Sequence, residues 1–176
     1  MTPLQKGLVL AAVQLAIVAS LGAKYSLDRA RFPRVWAQTV AYDPDLPIRG
    51  RYLSVRLRVD VDRVYADTHL PKNNLGNFWG EMRDIYLHTE NGHLVASPAP
   101  RPTGLRVTRW RTRTGEAVAA LSEPVAFFLP EHAVDPSRRK PGEELWVEVT
   151  VPAKGPPRPI RLAVKFGDMF TPLEFK

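Results

Sequence analysis

From Gly7 to Ala23 the chain reads GLVLAAVQLAIVASLGA, with no charge, a single amide at Gln14, and Lys6 and Lys24 on its flanks. A run like this has two destinations, the interior of a soluble fold or a lipid bilayer. Its seventeen residues span roughly 25 Å as a helix, a little less than a hydrocarbon core of about 30 Å and at the lower edge of what crosses. Lys6 and Lys24 can lay their aliphatic stems along the helix and keep their ammonium groups among the headgroups, and Tyr25 suits an interfacial position. Eight strongly apolar residues, Leu8, Val9, Leu10, Val13, Leu15, Ile17, Val18 and Leu21, each favour insertion by about 0.3–0.6 kcal/mol, which Gln14 partly offsets. The position near the amino end, behind a lysine, is where targeting segments occur, and it favours the membrane over a buried helix.

A cleavable signal and an uncleaved anchor share these features. A signal needs small residues at −3 and −1, and Ser20 with Gly22 or Leu21 with Ala23 make a poor site, which favours the anchor. Lys24, Arg29, Arg31 and Arg34 follow the segment, so positive-inside counting places the following domain in the cytoplasm. A short tail before an apolar run is also how exported anchors begin, and both directions stay open.

The remaining residues, 32–176, are enough for one domain with a core of its own. Residues 1–31 form the anchor and its juxtamembrane extension. Without cysteine there is no disulfide framework, thiolate metal site or thiol nucleophile. The net charge of +7 and pI near 10.0 favour an anionic neighbour, and for an anchored domain the nearest is the lipid surface itself.

After Pro33, which disfavours helix in the residue before it, the apolar period changes to two. Val35 to Tyr42 reads as a strand. Leu53, Val55, Leu57, Val59 and Val61 then alternate with Ser54, Arg56, Arg58, Asp60 and Asp62, one face for a core and the other for water or a ligand. Residues 65–82 lack a period and read as an irregular excursion. Asn91-Gly92 predicts a type I′ hairpin between Arg83–Thr89 and His93–Ala96. Leu105–Arg113 and Ala117–Leu121 form a second hairpin around Thr114-Gly115, and Val125–Leu129 another strand. Residues 131–139 suit a short helical turn. Leu145 to Val151 and Ile160 to Phe166 close the chain as a two-strand meander. The predicted fold is mainly β: an antiparallel sandwich or partly open barrel behind one transmembrane helix.

Chemistry is sparse. The hairpin register places His88, Glu90 and His93 on one face, a set that could hold a divalent metal, although no fourth ligand is in view and solvated hairpin histidines are the commoner case. Asp43 and Asp45 lie in a turn, and Asp60 and Asp62 end an exposed strand face, positions at which aspartate caps backbone or faces water. There is no nucleophile elbow, glycine-rich phosphate loop or HExxH pattern, so nothing supports an enzyme and no cofactor is implied. Arg49, Arg51, Arg56 and Arg58 near one strand, and Arg106, Arg109, Arg111 and Arg113 around Trp110 on another, are candidate contacts for an anionic ligand, because single-stranded nucleic acid is held by cations interleaved with aromatic faces. Arg109, Arg111 and Arg113 share a face with Val107 while Trp110 points the other way, which argues against nucleic acid and for charged strand faces and anionic lipid.

At Ile48 to Leu57, IRGRYLSVRL, the chain resembles the GDYXXLXY family, small bacterial proteins of unknown function. Gly50 and Tyr52 match, Val55 stands at the family's leucine, Leu57 replaces its second tyrosine, and Arg51 replaces its aspartate. An aspartate-proline turn at Asp43 to Pro47 and the FFLPE run at Phe127 to Glu131 extend the likeness along the chain. The resemblance implies a membrane-anchored β-rich domain outside the cytoplasm, a multi-spanning membrane protein as partner, and no catalytic residues. The expectation is a single-pass accessory or interaction protein, with a basic binding module for nucleic acid or an anionic surface polymer as the alternative.

Overall fold

The computed structural model describes residues 2–40, 52–66, 82–111, 116–131, 133–136 and 139–175. They fall into two units, Met1–Phe32 and Pro33–Lys176.

The first unit is helix α1, Pro3–Arg31. Thr2 and Gln5 close a capping box at its start: the Gln5 N–H donates to Thr2 Oγ1 and the Thr2 N–H to Gln5 Oε1, satisfying donors that the first helical turn leaves open. Pro3 occupies a position where its missing N–H costs nothing. The helix stops where Pro33 forces Phe32 into extended geometry, with ψ at 147°, as the sequence predicts. At 29 residues it is about 43 Å long, so it outreaches the apolar run at both ends. None of its residues is buried.

The second unit is mainly β, in two antiparallel sheets. The first has six strands in the order β10-β9-β8-β1-β2-β7, where β1 is Arg34–Val40, β2 Tyr52–Leu57, β7 Val125–Phe128, β8 Glu143–Thr150, β9 Arg158–Phe166 and β10 Met169–Pro172. The second is β4-β3-β5-β6, built from β3 Arg83–Glu90, β4 His93–Pro98, β5 Arg106–Arg111 and β6 Ala117–Leu121. Strand β1 buries alternate residues, and Val35, Val55, Leu57, Val147 and Leu162 meet Ile85, Leu94 and Val107 of the other sheet in one core cluster.

One segment ties the sheets together. Past Leu57 the chain leaves the first sheet, with the Arg58 N–H donating to Gln38 O. The next two residues enter the second sheet at both of its edges. The Val59 N–H donates to Ala119 O of β6, the Asp60 N–H to Leu94 O of β4, and Asp60 O accepts from the Ala96 N–H. Arg58 bridges Ala120 antiparallel and Asp60 bridges Val95 parallel. The edges β4 and β6 are thereby spanned by a single run of backbone.

The β3–β4 hairpin has the predicted register, Glu90 opposite His93 and His88 opposite Val95, around Asn91 and Gly92 at φ of 50° and 77°, as a type I′ turn requires. The terminal meander has a third strand that the sequence reading omits. Gly167, at φ of 57°, and Asp168 turn β9 into β10, with Met169 opposite Phe166. Positive φ at the first central residue alone fits a type II′ turn. Every residue of β10 is exposed, so no burial pattern marks it in sequence.

One further expectation is corrected. Among the described residues of 131–139 there is no helix; the Ala133 N–H closes a single turn onto Pro130 O, and Pro136 lacks the N–H that a helix through this segment needs and disfavours helical geometry at Asp135. Of the excursion 65–82 the described residues are Tyr65, Ala66 and Met82, all outside helix and strand; Tyr65 is nonetheless buried and donates its hydroxyl to Val107 O, its ring lying 4.9 Å and 4.5 Å from the guanidinium carbons of Arg83 and Arg109. Residues 67–81 and the Thr114-Gly115 turn lie outside the described residues. Strand β2 is also more covered than alternation implies. Ser54 is buried, and Arg56 and Arg58 are half-buried, because β2 is an interior strand flanked by β1 and β7.

Leu57 is fully buried where the chain crosses between sheets. Leu57→Ala is expected to lower unfolding free energy by about 3 kcal/mol, read from urea denaturation; a loss near that of a surface substitution would show that the crossing does not hold the sheets.

Candidate functional site

The outward face of the six-stranded sheet carries an aromatic group. Val35 and Ala37 point to the core, which turns Trp36 and Gln38 outward on β1; Leu145 and Val147 do the same for Trp146 and Glu148 on β8. Gln38 is directly opposite Trp146 and Trp36 opposite Glu148. Phe170 reaches over from β10, with ring centroids 4.8 Å from Trp36 and 6.2 Å from Trp146, both edge to face, the arrangement that ring quadrupoles favour. Ala163, fully buried and opposite both Trp146 and Pro172, leaves room for the rings to converge.

Charged side chains frame these rings. Arg161 lies 5.6 Å from the Trp36 ring and donates from Nε to Glu148 Oε2 at 2.6 Å. Lys165 sits 5.5 Å from the Trp146 ring, and Trp146 Nε1 donates to Glu144 Oε2. Glu148 is 6 % exposed, so the arginine supplies the hydrogen bond that water would otherwise give its carboxylate.

Where the crossing segment meets the two sheets there is a cavity of about 370 Å³. Trp36, Gln38 and Trp146 line it from the first sheet, Arg58, Asp60 and Asp62 from the crossing segment, and His93 and Arg109 from the second. Arg58 is held at both ends of its guanidinium, donating from Nη1 to Gln38 Oε1 at 3.0 Å and from Nη2 to Glu116 Oε1 at 2.6 Å. Asp60 Oδ1 accepts from the Asp62 N–H at 3.1 Å, an Asx-type turn that orients the Asp60 carboxylate.

Several residues singled out by sequence are placed here. Asp60, Asp62 and His93 converge on this cavity. Of the histidine face, His88 Nε2 lies 3.7 Å from Glu90 Oε2, but Glu90 Oε1 accepts from Arg63 at 2.9 Å, and among the described residues no group of three His, Asp or Glu is disposed to hold a metal. His69, His132, Gly50, Arg51, Asp43 and Asp45 lie outside the described residues. Tyr52 is half-buried, its ring 6.2 Å from Phe128, while Val55 and Leu57 belong to the core. Arg58 is engaged in internal pairs, and Arg109 stacks on Tyr65 on the core side of β5.

The sequence reading passes over Trp36 and Trp146 because they are 110 positions apart and belong to no motif. A signal was present nonetheless: each stands at the water-facing parity of an alternating strand, where a large aromatic buries less area than a core position offers.

Replacing Arg161 by Met is expected to cost about 1–3 kcal/mol, because it strips a buried carboxylate of its donor, with Arg161→Lys recovering part of the loss in thermal melts; equal stability of all three proteins would count against the Glu148 pairing. No family model, curated protein or solved structure matches the chain, and the resemblance at Ile48–Leu57 rests on the quoted residues alone.

Proposed function

We propose that this chain is a single-pass membrane protein, with an accessory or interaction role, whose β domain is held at the bilayer surface. The observation that carries this reading is α1. It is long enough to cross a membrane, its best 18-residue window has a mean hydropathy of 1.8, and none of that window is buried. Leu8, Leu15 and Val18 are 64 %, 70 % and 67 % exposed. Apolar surface in water costs about 25 cal/mol per Å², and insertion into hydrocarbon removes that cost. Lys24, Arg29, Arg31 and Arg34 then fall where anionic headgroups attract each by about 1 kcal/mol.

The finer parts of the proposal follow from the same features. The segment is an anchor and not a cleaved signal, the two sheets form a sandwich, and no reaction is assigned to the domain. The GDYXXLXY resemblance supports an extracytoplasmic domain working beside a multi-spanning membrane protein, whereas the basic residues after α1 favour the cytoplasmic side. No specific observation favours the alternative of a nucleic-acid or anionic-polymer module.

Full-length protein is expected to stay in the membrane pellet after alkaline carbonate extraction, and deletion of residues 1–24 to release it. A mature protein that starts beyond Ala23 by mass spectrometry would identify a signal peptide and end the anchor reading.

Sidedness is a separate prediction. A C-terminal reporter that is active only outside the cytoplasm is expected to be active; activity of a cytoplasm-only reporter would instead show that the flanking charges set the direction.

A further inference from the structure

We propose that the cavity between Trp36, Trp146 and the crossing segment 58–62 binds a short neutral saccharide. Its volume of about 370 Å³ lies in the lower part of the range of small-molecule sites. The chemistry of its walls narrows the ligand further.

One wall is aromatic and stiff. The indoles of Trp36 and Trp146 are braced edge to face by Phe170, so little rotamer freedom is lost when a ligand packs on them. The other wall is polar and balanced in charge. It offers the carboxylates of Asp60 and Asp62 against the guanidiniums of Arg58 and Arg109, and Arg58 is already paired with Glu116. A polyanion would meet Asp60 and Asp62, and a cation would meet the arginines; like charge brought together in a cleft disfavours each. A purely apolar ligand would strip water from Asp62 and give nothing back.

Among the described residues the Asp62 carboxylate and the His93 imidazole have no hydrogen-bond partner. Both are exposed and both line the cavity. A sugar hydroxyl donates and accepts at once, so one ligand group can donate to Asp62 while a neighbour accepts from Gln38 or His93. The C–H face of a pyranose supplies the apolar surface that an indole covers. A ring with hydroxyls at its rim and hydrocarbon on its face is therefore the ligand class that uses both walls.

This inference stands apart from the anchoring proposal, since it concerns residues of the β domain only. The test uses full-length protein in lipid nanodiscs, which avoids detergents carrying sugar headgroups. Cellotetraose, maltotetraose and chitotetraose are titrated while tryptophan fluorescence and calorimetric heat are followed. At least one is expected to bind saturably with a Kd of about 1 mM or tighter. Asp62→Ala and Trp36→Ala should each weaken it about tenfold or more, and Lys154→Ala, remote from the cleft, should leave it unchanged. Asp62 is exposed and its side chain anchors nothing, so that variant retains the wild-type circular dichroism and separates lost binding from lost fold. Absence of binding by all three sugars up to about 10 mM would overturn the proposal. So would binding that Asp62→Ala and Trp36→Ala leave intact, or a preference for polyphosphate over every neutral sugar.

Discussion

The hydrogen bonds made by Arg58, Val59 and Asp60 join the two sheets of this β domain by one run of backbone. A sheet edge is a row of unpaired donors and acceptors, and proteins must cover, pair or charge it. Here the same three residues satisfy a carbonyl on β1, one on β6 and one on β4, with Asp60 O returning a bond to Ala96. Among the described residues β1 meets β2 in register at Thr39–Leu57 and Val40–Arg56, the end of β2 from which this passage leaves for the second sheet. Val59 and Val61 fill the core while the backbone pairs with its neighbours, and Leu57 is fully buried at the entrance. Burial and backbone pairing act on the same residues, which makes the passage costly to disturb from either side.

The same geometry accounts for the position of the cleft. A chain that leaves one sheet to enter another must bend away from the pleat, and the bend leaves a concavity between the outward face of the first sheet and the edges of the second. The side chains at its rim come from three directions in space and from positions 36 to 146 in the chain. They are carried on strands and on a hydrogen-bonded crossing, not on a long loop, so their spacing is set by backbone geometry. Arg58 contributes to both roles: its amide joins the crossing to β1, and its guanidinium joins Gln38 on the cavity wall to Glu116.

How much of this was legible in sequence depended on how local the determining interaction was. The Asn91-Gly92 hairpin was readable because two residues with positive φ specify it. Helix α1 was readable from its uncharged apolar run, and strands β8 and β9 from a period of two. Strand β10 was not, since an exposed edge strand has no apolar face to alternate. The helical turn expected at 131–139 is absent among the described residues, where Pro136 lacks the N–H a helix needs. The burial of Tyr65 was not legible, since the arginines that stack on it lie 18 and 44 positions away. The candidate site was the least legible part. In sequence Asp60, Asp62 and His93 look like separate solvated side chains, because only the crossing brings them to one cavity.

Parity along a strand carries more functional information than residue type does. On β1 and β8 the core positions are Val, Ala and Leu, so the indoles of Trp36 and Trp146 were left on the polar side, where burying them fully was never available. Phe170, Arg161 and Lys165 cover part of them, and both residues still line the cavity. Arginine shows the reverse case. On β5 the alternation that buries Val107 carries Arg109 to the core side, where Tyr65 receives its guanidinium. A basic total therefore does not make a basic surface. What decides whether a cation can reach a ligand is the parity of its position and the aromatic or acidic group already beside it, and by that criterion the high pI of this chain says less about its partner than two outward-facing tryptophans do.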